Sequence, residues 1–142
     1  HPGPAHTSGN IIVHFIDRRA VHMGDMLFYM RHPYIDWKAG SNTANWVRTL
    51  EEVARWDIDV VMPGHGELTG KPGLHWKAQY LRDLRAEVGA AVEKGMSLEE
   101  AGAAVRMEKY AGLEWTYMLD AGIAAVYKEL TGEERVLPSF RE

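Results

Sequence analysis

The sequence has no cysteine among its 142 residues, so disulfide bonds and thiolate metal ligands are both excluded. No apolar run approaches the roughly 18 residues that are needed to span a membrane. Excess charge is also lacking, because the formal net charge is only -4. That balance gives no reason to expect nucleic acid or an anionic membrane surface as a partner.

What the sequence does contain is a globular composition with many histidines. Hydrophobic residues make up 46% and charged residues 25%, which is typical of one folded domain. Seven histidines are numerous for this length and favour metal chemistry. The chain begins with His1 rather than methionine and has no signal-peptide pattern. We therefore expect it to be a piece of a longer protein, in a compartment that the sequence does not indicate.

Two apolar runs near the start predict a β-hairpin. They cover residues 10–16 and 20–23 and are separated by a polar turn at 17–19. Because both faces of this hairpin are largely apolar, we expect it to lie in a sheet that is covered on both sides. His14 lies within the first run, and we interpret it as a hydrogen-bonded core histidine rather than a ligand.

A helix and a third strand follow the hairpin, after a long aromatic loop at 26–40. The one-sided apolar spacing of residues 41–56 predicts a helix that Asn42 or Thr43 can cap. Residues 57–62 predict the third strand. This order of hairpin, helix and strand is typical of an α/β layer structure.

The remaining residues predict three helices. Pro72 suits the first turn of a long helix with a regular apolar stripe. Ser97 and Glu100 have the spacing of a capping box at the start of a short helix. A last helix is predicted over residues 113–130, with Trp115 on its buried side.

Three loops beside the predicted strands each offer a borderline metal ligand next to glycine or proline. His6 precedes the first strand, Asp25 follows the second and His65 follows the third. Imidazole nitrogen and carboxylate oxygen suit zinc at about 2.0–2.2 Å, with iron or manganese as alternatives. Each loop alone is a weak signal, because a turn without function is the alternative. Together they predict a site where one edge of the sheet brings the three side chains close.

Three short motifs resemble the C-terminal half of a metallo-β-lactamase superfamily hydrolase. They are G-P-A-H-T at 3–7, H-M-G-D at 22–25 and P-G-H-G at 63–66. Asp25, at a position where some β-lactamases carry cysteine, resembles the glyoxalase-II-like and cyclase-type branch. The H-P-Y-I-D tract at 32–36 resembles that branch more loosely.

The resemblance implies a fold and a division of the chain. The family fold is a four-layer αββα sandwich, of which this chain would supply one α/β half. Residues 1–142 would form a single partial domain, with the half-sandwich at 1–94 and a helical extension at 95–142. The sheet face that packs on the other half would then lie bare, which is an aggregation hazard in water.

The resemblance also implies a role for each ligand. His6 would bind the first zinc ion, Asp25 would bridge two ions and His65 would bind the second. The resulting metal-bound hydroxide would attack an ester, thioester or lactam carbonyl of a small-molecule substrate. Asp25 would be the catalytic residue as ligand and charge-neutraliser, not as a general base.

Three further side chains are candidates for supporting roles. His22 would orient Asp25 through a contact behind the metal, although a purely structural role is an equal alternative. His32 and Tyr34 lie in the aromatic loop, where the resemblance implies part of the substrate wall. For these two residues, a structural role without substrate contact is the alternative.

The family hallmark H-x-H-x-D-H is absent from this sequence. It belongs to the N-terminal half and would supply the remaining ligands. Because catalytic zinc needs three protein ligands plus water, we expect the isolated chain to bind metal weakly or not at all and to be inactive. The missing half, another chain that completes the sandwich, or a second copy in a homo-oligomer would complete the site. The alternative function is a non-catalytic α/β interaction module.

Overall fold

The computed structural model describes residues 1–134 of the chain. Within them it has a three-stranded sheet and four α-helices, which confirms the mixed α/β prediction. The last eight residues of the predicted extension, 135–142, lie outside the described residues. The elements are β1 (Val13–Phe15), β2 (Ala20–His22), α1 (Thr43–Ala54), β3 (Val60–Met62), α2 (Lys71–Glu93), α3 (Leu98–Ala104) and α4 (Leu119–Thr131).

The sheet aligns one end of each strand at a common edge. Strands β1 and β2 are antiparallel, whereas β2 and β3 are parallel. Val13, His22 and Met62 are therefore aligned across the sheet. The chain enters β1 and leaves β2 and β3 at this edge, so the three segments that carry His6, Asp25 and His65 begin or end there.

Only one face of the sheet is covered by the described part of the chain. Val21 and Val61 point into the core and are fully buried, whereas Val13 and Phe15 on the opposite face are 43% and 44% exposed. The expectation of a sheet covered on both sides is therefore wrong for residues 1–134. The bare face agrees instead with the fold that the resemblance implies.

The ring of His14 is half-buried, outside the core, and lacks the hydrogen bond that we expected. Its Nε2 atom is buried and has no hydrogen-bond partner in the described structure. The imidazole instead stacks on Trp56 at 4.8 Å between ring centroids. That contact supplies packing but no polar partner for Nε2.

Local capping signals set the starts of two helices as predicted. Asn42 caps α1, and its side chain accepts a hydrogen bond from the backbone N–H of Asn45 at 2.8 Å. Ser97 and Glu100 form both bonds of the predicted capping box at the start of α3. Pro72 lies in the first turn of α2, where its missing N–H costs little.

The last helix starts later than predicted, at Leu119 rather than at residue 113. Trp115 has a left-handed backbone with φ of 62°, which a right-handed helix cannot contain. Trp115 is therefore absent from the buried stripe of α4. Residues 113–118 form a bridge and a short 3₁₀ turn instead.

Helices α1, α2 and α4 share one core with the sheet. Glu129 of α4 ties the last helix to the start of α1, where its carboxylate accepts bonds at 2.8 Å from the backbone N–H and hydroxyl of Thr43. Arg85 of α2 donates to the same carboxylate at 2.5 Å. No helix within residues 1–134 combines the length and apolar character that crossing a bilayer requires.

Candidate metal centre

Asp25 and His65 meet at the sheet edge because they follow the parallel strands β2 and β3. Nε2 of His65 lies 3.1 Å from Oδ1 of Asp25. The two loops are joined by a hydrogen bond of 2.9 Å from the N–H of Gly64 to the carbonyl of Gly24. A Cβ atom at Gly64 would lie 2.6 Å from that carbonyl and 2.7 Å from the Asp25 carboxylate. Glycine is therefore required for this approach.

Two aromatic side chains that sequence reasoning did not assign to the site contact His65. Phe28 stacks on the imidazole with a centroid distance of 4.6 Å, and Trp115 meets it edge-on at 4.9 Å. The backbone N–H of Tyr29 donates to the carbonyl of His65 at 2.8 Å. Phe28 lies in a loop whose aromatic richness was a usable signal, whereas Trp115 was assigned to a helix.

The loop that carries His6 is held by two asparagine side chains. Nδ2 of Asn10 donates to the carbonyl of Thr7 at 2.7 Å and to that of Gly3 at 3.1 Å. Nδ2 of Asn45, on α1, donates to the carbonyl of Pro4 at 2.6 Å. These bonds fix a loop without regular structure against the first turn of a helix.

His6 is 9% exposed and lies among aromatic rings. Its ring centroid is 5.7 Å from that of Phe28 and 5.6 Å from that of Trp46. Burial lowers the pKa of His6, and the negative charges of Asp25 and Asp36 oppose that shift only in part. This shift favours the neutral imidazole, which is the form that binds metal.

His6 and Asp25 line the same cavity of about 280 Å³. His65 does not line this cavity, but it contacts Asp25, which does. The structure thus brings all three predicted ligands to one edge of the sheet. Asp25 contacts His65, and its negative charge acts on His6. His65 is also close enough to His6 to affect its pKa.

The donor set fits zinc in kind but not in number. Two ligands at about 2.0–2.1 Å in a tetrahedral site lie roughly 3.3 Å apart, and the Asp25–His65 separation of 3.1 Å is close to that spacing. Within residues 1–134, no three His, Cys, Asp or Glu side chains group closely enough to hold one ion. Within the described residues, the donor set is therefore short of the ligands that a complete zinc site needs.

His22 and Tyr34 lie near the candidate ligands. The Nδ1 atom of His22 accepts a hydrogen bond from the N–H of Gly24 at 3.2 Å, which holds the backbone directly before Asp25. Tyr34 is 41% exposed and meets the ring of His6 edge-on, with 6.3 Å between centroids.

His32 lies in the interior, away from the Asp25 cavity. It is 1% exposed, and its Nδ1 atom is 2.7 Å from the hydroxyl of Tyr80. Burial and the nearby Lys77 lower the pKa of His32. His32 therefore contacts the protein core in this structure.

Lys77 is a fully buried lysine that sequence reasoning did not single out. Its Nζ atom donates to the carbonyl of Arg31 at 3.2 Å and lies 4.5 Å from the centre of the Tyr80 ring. Burial lowers its pKa well below the ordinary value. The sequence did indicate that Lys77 is buried, because it lies three residues after Leu74 and four before Leu81 on the apolar stripe of the helix.

We expect Lys77→Met to raise the free energy of unfolding at pH 7 by about 1–3 kcal/mol, because a polar group is no longer buried. The pKa of Lys77 is lower in the folded state, so the unfolded state binds more protons from that pKa up to about 10.5. Stability should therefore rise with pH in the native protein. Urea unfolding between pH 7 and 9.5 should show a smaller rise in the variant.

The pH range stops at 9.5 because burial raises the pKa of Tyr110 to about 12, which lowers stability at higher pH. Lys38→Met, at an exposed position, is the matched control and should leave the slope unchanged. An equal slope in Lys77→Met and the native protein would contradict this account of Lys77.

The family comparison agrees with the motifs. Residues 1–65 match the model of the metallo-beta-lactamase superfamily. This match confirms the resemblance, and the chain has the α/β fold of one half of that superfamily's sandwich with added C-terminal helices. No curated protein matches the chain.

Solved structures show the same fold at low identity. The chain is 24% identical to VMB-1, with a TM-score of 0.51 over 58% of this chain and 39% of VMB-1. It is 16% identical to the stereoselective inverting sec-alkylsulfatase Pisa1 from Pseudomonas sp., with a TM-score of 0.66 over 98% of this chain and 24% of that protein. A double mutant of Pisa1 gives 13% identity and the same TM-score. The chain therefore spans well under half the length of either protein.

Proposed function

We propose that this chain carries the C-terminal part of the active site of a metal-dependent hydrolase. The observation that supports it best is the 3.1 Å contact between Asp25 and His65 at the sheet edge, with the imidazole of His6 alongside. These three side chains would bind zinc, with two ions in the complete site and iron or manganese as alternatives. The other ligands would come from residues outside this chain.

A bound metal pair would supply Lewis acidity and a water with a lowered pKa. The chain's own residues would hold and surround that centre. Asp25 would neutralise part of the positive charge of the bound metal ions. Tyr34 would form an exposed wall beside His6. We propose an ester, thioester or lactam as the substrate. Because the Pisa1 structure is described as a sec-alkylsulfatase, a secondary alkyl sulfate is a further test substrate.

We propose that the bare sheet face is covered by the half of the sandwich that carries the H-x-H-x-D-H motif. Val13, Phe15 and Val60 are exposed on that face, between 39% and 44%. Exposed apolar side chains that share one sheet face favour a protein partner over water. The same segment would then bring the missing ligands to the edge that carries Asp25.

A non-catalytic interaction module is the second candidate function. The shortage of ligands within residues 1–134 favours it, together with the exposed sheet face. Such a module would bind its partner through that face without a metal.

Zinc analysis of the purified chain, with and without an added N-terminal half, distinguishes the two candidates. The hydrolase proposal predicts little zinc in the chain alone, and stable zinc together with hydrolysis of the test substrates after the halves are combined. His65→Ala in the combined protein should lose zinc. A combined protein that forms a stable complex without zinc or hydrolysis would support the interaction module instead.

A further inference from the structure

A clasp between two distant segments lies beside His65. Arg31 and Glu114 form an isolated parallel β-bridge, and the N–H of His32 donates to the carbonyl of Glu114 at 3.0 Å. The side chains are paired as well, because Nε of Arg31 lies 2.8 Å from Oε2 of Glu114. The clasp therefore joins the aromatic loop to the segment before α4.

Left-handed backbone occurs on both strands of this clasp. Met30 and Trp115, which flank the paired residues, have φ of 56° and 62°. Bulky residues avoid this region, and strained backbone is retained mainly at functional sites. Gly66 is left-handed too, and a Cβ there would clash with the carbonyl of Tyr29 and lie 2.8 Å from Nη1 of Arg31. Two segments beside His65 thus carry strained backbone, and a third requires glycine for its close approach to Tyr29.

The clasp presents the indole of Trp115 to the imidazole of His65. The two rings meet edge-on at 63°, with 4.9 Å between their centroids. The guanidinium of Arg31 lies 5.5 Å from the centre of the indole on which it packs. Phe28 stacks on His65 at an interplanar angle of 29°. Phe28 and Trp115 also contact each other, at 5.9 Å between ring centroids, so the imidazole packs into the corner that these two rings form.

We propose that Trp115 is a positioning residue that keeps the imidazole of His65 in one orientation toward Asp25. This inference rests on the proposed function, because His65 needs a fixed ring only if it binds metal. Side chains that orient a metal ligand contribute strongly to metal affinity. The strained backbone at Met30 and Trp115 is maintained because the Arg31–Glu114 clasp holds the indole in place.

Zinc affinity in the complete protein, measured by competition with a chromophoric chelator, tests the proposal. We expect Trp115→Ala to weaken zinc binding by about tenfold or more, and Trp115→Phe to restore most of the loss because a ring remains. Trp56→Ala is the matched control, since it removes the half-buried indole that stacks on His14. This control should leave zinc affinity unchanged.

Long-range ¹H–¹⁵N spectra of the His65 imidazole provide a readout that a purely structural role would not alter. The zinc-free native protein should give one set of ring-nitrogen shifts, and Trp115→Ala should give averaged shifts. If Trp115→Ala does not fold, Glu114→Gln replaces it, because this variant removes the ion pair and leaves the indole. Weaker zinc binding in Glu114→Gln would support the proposal, and native affinity would overturn it.

A His65→Ala variant separates the two possible failures. If His65→Ala loses zinc while folded Trp115→Ala binds it with native affinity, the positioning role is wrong and the hydrolase proposal stands. If His65→Ala retains the full zinc content, the proposed function itself is wrong.

Discussion

Replacing Asp25 with alanine is expected to lower kcat/KM of the complete protein by at least about 10³-fold, equivalent to roughly 4 kcal/mol of transition-state stabilisation. Asp25 contacts His65, and its charge acts on His6. It is the only one of the three proposed ligands with a negative charge. Its loss removes a ligand and leaves the positive charge of the metals uncompensated. Zinc content and steady-state hydrolysis should fall together.

Asp17→Ala is the matched control for Asp25→Ala. Asp17 is an exposed aspartate in the 3₁₀ turn between β1 and β2, at the opposite end of the same hairpin. It should leave turnover and zinc content unchanged. Native turnover in folded Asp25→Ala would exclude the proposed role of this carboxylate.

Gly64→Ala is expected to disrupt the centre without touching any proposed ligand. The new methyl group would lie 2.6 Å from the carbonyl of Gly24 and 2.7 Å from the carboxylate of Asp25, so the loops after β2 and β3 must separate. Overpacking of this kind costs about 1–3 kcal/mol of stability. Because the separation moves Asp25 from His65, zinc affinity should fall by about tenfold or more.

Gly102→Ala provides the comparison for Gly64→Ala. Gly102 lies inside α3, and a Cβ there meets no atom within 4 Å. Alanine at this position should stabilise the protein by up to about 1 kcal/mol, because glycine is a poor helix former. Urea unfolding should give opposite signs for the two variants, and chelator competition should show weaker zinc binding in Gly64→Ala only. Native zinc affinity in Gly64→Ala would mean that the contact between the loops is not needed.

The parts of the fold that local chemistry decides could be predicted from the sequence. Asn42 and the pair Ser97 and Glu100 cap their helices as predicted, because a cap depends on residues three positions apart. The loops that carry Asp25 and His65 were predicted because glycine and proline mark the ends of strands. That these loops meet follows from parallel strands that share an edge.

The parts that depend on distant contacts could not be predicted. Trp115 has suitable spacing for the stripe of a helix, but the bridge between Arg31 and Glu114 places its backbone in a left-handed conformation. His32 looked like a loop residue, yet its partner Tyr80 lies 48 positions away. In each case the deciding contact joins segments that no local pattern relates.

The central claim is that His6, Asp25 and His65 hold metal at one edge of the sheet. Its most direct test is an anomalous difference map at the zinc absorption edge, from crystals of the complete protein grown with zinc. We predict a peak within about 2.0–2.2 Å of an Asp25 carboxylate oxygen and Nε2 of His65, with His6 on the neighbouring ion. A map with zinc bound elsewhere and no peak beside Asp25 would contradict the account.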